Sequence, residues 1–230
     1  MAIAPSWGHQ GPGCCWATTF DYLINRVERG VDKATRLFEQ FRVNRWAHDP
    51  SPMEDLPIIT PSDALTGGAY GINAYGKPAL GYLAMKDLLG DAVFRKCLHA
   101  YMDRWHGKHP SPWDFFYTFD NVSGRNLNWF WSNWFISNNY IDLGVKGVAK
   151  SGSNYAVTVD NIGGMVAPFD VVLNFTDGST LRTHETPAVW ERNQKQTTVS
   201  VRASKKLKSV VLDGGIWVDA NVANNTWTVK

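Results

Sequence analysis

Cysteine is scarce in this 230-residue chain, which has three. An odd count excludes a fully paired disulfide framework. Cys14 and Cys15 are neighbours, and a bridge between adjacent residues is strained. Cys97 falls on the apolar side of an expected helix. All three are therefore expected as packed or half-packed thiols. Charge of one sign is lacking too. The net charge is +2, which implies neither an acidic nor a basic partner. Arginines do not alternate with aromatics along a stripe, so no nucleic-acid surface is expected. No apolar run approaches the roughly 20 residues that cross a bilayer, so no membrane segment is expected. Met1 leads into Ala2-Ile3-Ala4-Pro5 with neither a charged start nor a long apolar stretch, which is not a secretory leader. In a piece of a longer protein this would say nothing about the parent. The compartment is left open, and an exported or periplasmic setting is compatible with the sequence.

Metal-binding signatures are missing as well. The six histidines are His9, His48, His99, His106, His109 and His184. None stands four residues from another with a glutamate after the first, so H-E-x-x-H is absent. His106 and His109 are flanked by Gly107 and Pro110, which break a helix, and His184-Glu185 reads as a surface edge. No metal is expected to be held by this chain. A Gly-rich phosphate loop is absent, with Gly67-Gly68 and Gly163-Gly164 read as isolated turns. The stretch from Gln10 to Trp16 resembles the nucleophile segment of papain-like cysteine proteases. Gln10 stands one residue too close to Cys15, however, and the downstream histidine and Asn-Ser-Trp partners are missing. A Cys–His nucleophile needs both members. That segment is expected to be a helix start with buried Cys and Trp.

Aromatics are what the sequence has in excess, with eleven tryptophans. Each buried indole removes a large area from water, so a rigid aromatic core is expected. The hydrophobic period places it. Phe94, Cys97, Leu98, Tyr101 and Trp105 recur at helical spacing, and Leu127, Phe130, Trp131, Trp134 and Phe135 repeat the pattern more densely. Ser111, Pro112 and Asp114 form a helix-start signature. Gly90 and Asp91 separate two helices. Helices are expected at 15–29, 32–47, 74–89, 91–107, 112–122 and 126–138, with 48–68 mostly loop. Near residue 143 the period changes from 3.6 to 2. Tyr155, Val157 and Val159 share one strand face. Further runs follow at 169–175, 199–201, 210–212 and 227–229, with a turn at Asp177-Gly178. The reading is a helical region over 1–142 and a small β-sandwich over 143–230.

The segment from Gly68 to Leu80, containing Tyr75-Gly76-Lys77-Pro78, resembles the gluzincin aminopeptidases, the family that includes aminopeptidase N. There a Tyr-x-Lys-Gly stretch opens a helix downstream of the zinc ligands. Leu89-Gly90, Phe94 through Tyr101, Trp113-Asp114-Phe115-Phe116 and the run Trp129 to Phe135 follow in the family's order. Pro78 stands where glycine is usual, and a proline in the first helical turn is acceptable because its missing N–H would be unpaired.

The resemblance implies an α+β multidomain fold, in which the helical C-terminal half of a thermolysin-like catalytic domain precedes a small antiparallel β-sandwich. It implies a zinc aminopeptidase acting on peptide substrates. The zinc belongs to the full-length enzyme, and its ligands lie in a missing N-terminal part of the same protein, which would be this chain's natural partner. Tyr75 is then the catalytic residue, donating a hydrogen bond to the substrate carbonyl oxygen, and Tyr70 lines the same cleft. The isolated chain is expected to be inactive. The other reading is a non-catalytic helical and sandwich module that binds a peptide or protein.

Overall fold

The computed structural model describes residues 13–44, 47, 55–65 and 67–229, with side chains from Trp16 onward. The thiols of Cys14 and Cys15, the Gln10 segment, His9 and His48 lie outside the described residues. The chain divides into two compact units, Met1–Asn138 and Asn139–Lys230. The fold is α+β, with helices followed by antiparallel sheets.

In the helical unit, α1 (Gly13–Arg29) turns at Gly30, whose φ of 82° suits glycine, into α2 (Val31–Phe38). Tyr22 of α1 packs on Phe38 of α2 with ring centroids 4.8 Å apart. At Phe38 the helix widens into a π turn (Glu39–Val43), and α-helix is found again at Asn44 and Ala47, in keeping with the expected end at 47. The next helix begins earlier than expected. Gly67 and Gly68 open α3 (Gly67–Gly71), which runs through a second wide turn (Ile72–Gly76) into α4 (Lys77–Trp105). These two glycines are thus not an isolated turn. Gly90 has φ 73° and ψ 160°, so α4 is two helical rods kinked there. Lys86 bridges the kink to Asp91.

α5 (Pro112–Ser123) starts where its signature says. The Ser111 N–H donates to Asp114 Oδ2 at 2.7 Å, and the Ser111 hydroxyl donates to the same oxygen at 2.8 Å. Gly124, at φ 69°, ends it in the left-handed region. α6 (Asn128–Trp131) continues into a third wide turn, Ser132–Ile136.

The aromatic core sits among these helices. Trp16 stacks on Tyr82 at 4.0 Å, Phe116 on Trp131 at 4.8 Å, and Phe115 touches both groups. Trp131 and Trp134 are buried, as the packing reading expected. The Trp131 indole N–H donates to Asp120 Oδ1 at 2.8 Å. Gly81 lets α4 come close: a Cβ there would meet Trp134 at 3.2 Å.

The second unit is a sandwich of two antiparallel sheets, β1-β2-β5 and β4-β3-β6-β7. Its strands are β1 (Leu143–Ser151), β2 (Asn154–Asn161), β3 (Phe169–Phe175), β4 (Thr180–Glu185), β5 (Gln196–Arg202), β6 (Leu207–Asp213) and β7 (Thr226–Thr228). Tyr155, Val157 and Val159 of β2 face inward, as do Val171 and Leu173 of β3 and Val199 and Val201 of β5. Asp177 and Gly178 turn β3 into β4, and the Ser179 N–H donates to Asp177 Oδ1 at 3.0 Å. β1 and β4 were not expected as strands. β1 carries a bulge between Val145 and Gly147, which interrupts its alternation. β4 is an edge strand with no buried residue, so it has no apolar period to see. His184 and Glu185 lie on that edge.

Candidate functional site

Tyr70 lies in α3 and Tyr75 within the wide turn that follows, both half-buried. In a regular α-helix, residues five apart point in different directions. A wide turn takes in one extra residue, with the Lys77 N–H bonding back five residues to Ile72 O. That realigns positions 70 and 75. Their rings meet edge to face, with centroids 6.2 Å apart and planes at 77°. The structure therefore brings together the two tyrosines that the resemblance singles out.

The Tyr75 ring has a second partner. The Arg42 guanidinium carbon lies 4.9 Å from the ring centroid, a cation–π contact worth about 0.5–1 kcal/mol at an exposed position. Arg42 belongs to the wide turn after α2. That turn reaches Tyr75 because residue 76 is glycine: a Cβ there would stand 2.0 Å from the Arg42 carbonyl oxygen. Gly76 is required by close backbone approach, not by its own dihedral angles. Arg42 also lines a groove of about 270 Å³ with Tyr22, Phe38 and Phe41.

Beneath the turn lies a polar cluster that reading the sequence missed. The Lys77 ammonium is fully buried and donates to Asp55 Oδ1 at 2.5 Å and to Leu56 O at 3.4 Å. Burial holds its pKa below the ordinary lysine value, and the Asp55 carboxylate opposes that shift. The Asn73 amide donates to Leu56 O at 2.9 Å and Pro57 O at 3.3 Å, while its own oxygen is buried with no partner among the described residues. Lys77 was in view only as one letter of the Tyr-x-Lys stretch. A lysine directly before the apolar run Pro78-Ala79-Leu80 was the signal available.

The sandwich has a buried polar cluster of its own, in which Asp219 accepts from the Leu143 and Asn221 N–H groups and Asp142 accepts from the Asn224 amide. Cys97 is buried, its thiol pKa pushed up to about 11 by desolvation, and it points at Phe119 O, 3.8 Å away. That is a packing thiol. His99, His106 and His109 are exposed. His184 Nδ1 lies 2.6 Å from Asp170, and Arg182 bridges Asp170 and Asp213 at 2.5 and 2.7 Å, all on an open sheet surface. Among the described residues no three His, Cys, Asp or Glu side chains stand together as a metal site would need. No helix among them is long and apolar enough to cross a membrane.

No protein-family model matches the chain, and no curated protein matches it. Its fold is similar to that in the crystal structure of Legionella pneumophila aminopeptidase A in complex with aspartic acid. The TM-score is 0.52 at 15% sequence identity, over 84% of this chain and 23% of that one. This chain thus spans less than a quarter of that enzyme's length. At such identity the likeness is one of fold.

Proposed function

We propose that this chain is a portion of a zinc aminopeptidase of the gluzincin type, and that it supplies the tyrosine that stabilises the oxyanion of peptide hydrolysis. The observation that carries the reading is the setting of Tyr75. It is half-buried on a wide helical turn, with its ring in contact with both the Tyr70 ring and the guanidinium of Arg42. The order of motifs from Gly68 to Phe135 and the aminopeptidase-like fold support it. So does the outer surface of α1, α2 and the wide turn after them, where Ile24, Val27, Val31 and Phe41 are exposed. A patch of this kind suits burial against further protein.

The chemistry asked of Tyr75 is narrow. When a peptide carbonyl is attacked, its oxygen gains negative charge. A phenol fixed in place donates a stronger hydrogen bond to that oxygen in the transition state than to the neutral carbonyl, which is how such a donor accelerates a reaction. Tyrosine suits the task because an ordinary phenol stays protonated near neutrality and its ring holds the hydroxyl well away from the backbone. Tyr70 lines the same cleft and restricts the ring. The described residues do not fit a zinc site of their own. In this reading the zinc ligands, and the residues that grip the peptide N-terminus, lie in other parts of the protein, and the chain alone does not cleave peptides.

The test is Tyr75→Phe in the zinc-loaded enzyme that contains this chain. The variant should keep its fold and zinc but lose roughly 10²–10³ in kcat, the usual effect of removing one oxyanion donor. Near-normal kcat removes the role from Tyr75. If the surrounding gene encodes no H-E-x-x-H, the enzyme reading falls and a non-catalytic peptide-binding module takes its place.

A further inference from the structure

We infer that Asn73 and Lys77 are positioning residues, which with Asp55 clamp the wide turn from behind and so set the direction of the Tyr75 ring. The inference builds on the proposed role of Tyr75. Residues two apart lie on roughly opposite sides of a helix. Asn73 and Lys77 flank Tyr75 at two residues before and two after, so both project away from the face that carries the tyrosines. Both reach the same short stretch. Lys77 takes Asp55 Oδ1 and Leu56 O, while Asn73 takes Leu56 O and Pro57 O. Two side chains four apart thus grip three consecutive residues.

Stability alone is a poor reason for this arrangement. Burying an ammonium is expensive, and a buried ion pair is often no better than well-packed apolar residues of similar volume. Asn73 adds a second expense, because its oxygen is buried with no partner among the described residues. What the cluster does deliver is a fixed rotation of the turn about the helix axis. A wide turn needs such fastening. Its i→i+5 geometry is rare and shifts every side chain beyond it around the axis. The same extra residue aligns Tyr75 with Tyr70. If the grip on 55–57 slackened, the turn could relax toward ordinary helix and the two rings would part. Gly76 and the Arg42 carbonyl close the turn from another side, but they hold the backbone and not its rotation.

The experiment places 3-fluorotyrosine at position 75 of the 230-residue chain and records its fluorine spectrum. The native chain should give one sharp resonance. Lys77→Met with Asp55→Leu exchanges the ion pair for apolar packing, and Asn73→Ala removes the second grip while deleting a side chain that is already half unsatisfied. Both should leave the thermal midpoint within a few degrees of the native value. Both should move or split the Tyr75 resonance by more than its linewidth. Asn73→Ala decides the matter if the double variant does not fold. Folded variants with an unchanged Tyr75 resonance overturn the inference.

In the intact zinc-loaded enzyme the same variants should lower kcat by roughly 10–100-fold, the scale of an ångström of misplacement, with KM nearly unchanged. The two claims fail separately. A Tyr75 resonance that responds, beside a fully active Tyr75→Phe enzyme, retains the clamp and removes the catalytic role. An unmoved resonance beside an inactive Tyr75→Phe enzyme does the reverse.

Discussion

The two units bury their apolar residues by different means. In the helical unit the core is made of large rings: Trp16, Tyr82, Phe115, Phe119, Trp131 and Trp134 are all nearly inaccessible. In the sandwich it is made mainly of Val and Leu at every second position, with Trp190 as the one fully buried indole among the described residues. Both units bury polar groups as well. The helical unit buries Lys77 and Asn73 and carries three wide turns. The sandwich buries Asp142, Asn161, Asp219 and Asn225, and keeps its Arg182, Asp170 and Asp213 network at the surface. Buried charge and irregular helix are costly, and proteins keep them where geometry is needed. In the proposed reading the chemistry lies in the helical unit, whose wide turns are the irregular element of its helices.

The largest effect is expected where ring packing is densest. Trp134 is fully buried, lies 6.2 Å from Phe130 and rests on Gly81. Trp134→Ala leaves a cavity that the surrounding rings cannot close, and should destabilise the helical unit by about 3–5 kcal/mol. Chemical unfolding followed by helical circular dichroism measures it. A loss below about 1 kcal/mol would show that the ring core tolerates voids, and the contrast between the units would lose its basis.

A smaller effect is expected in the sandwich. The Tyr155 hydroxyl donates to Lys205 O at 2.7 Å and accepts from the Leu207 N–H at 3.2 Å. It therefore fastens β2 to the segment between β5 and β6. Tyr155→Phe leaves a backbone donor and acceptor unpaired near the core, and should cost about 1–2 kcal/mol. Faster amide exchange at Leu207, with the rest of β6 still protected, is the expected sign. Unchanged exchange there would mean that the alternating Val and Leu residues hold that corner unaided.

What the sequence showed of these units follows how local each signal is. Ser111, Pro112 and Asp114 lie within four residues, and the α5 start they encode is in the structure. Gly90 broke the helix where its composition said. Tyr155, Val157 and Val159 disclosed β2 because one face of it is fully buried. β4 carried no such signal, having no buried face. The wide turns have no compositional signature, since the residues of 72–76 would suit an ordinary helix equally well. Gly67 and Gly68 oppose a helix by propensity, and tertiary context overrides them. The candidate site was legible only in part. Tyr70 and Tyr75 were in view through their motif, and the structure adds that a wide turn aligns them. The Lys77–Asp55 pair spans 22 residues of sequence, and no local pattern links the two. Arg42 is more distant still, and it reaches Tyr75 only because Gly76 admits its turn.

The smallest predicted effect concerns a charge at the margin of the ring core. Asp120 accepts from the Trp131 indole N–H, yet burial outweighs that bond and holds the carboxyl above its ordinary pKa of 3.8. The folded chain therefore binds this proton more tightly than the unfolded chain does. The sign follows: the ionised carboxylate at neutral pH works against the fold, and the penalty fades as pH falls through the window just above 3.8. Asp120→Asn keeps an oxygen for the indole and removes the charge. It should be slightly more stable than the native chain at pH 7, and the gain should vanish near pH 4, where the native carboxyl is becoming protonated. Thermal midpoints of both proteins at the two pH values measure this directly. A loss at pH 7 would mean that the charge strengthens the indole bond more than burial weakens the carboxylate. The ring core would then depend on one ionised partner, as the tyrosine turn is inferred to depend on Lys77, and the two halves of the helical unit would be built alike.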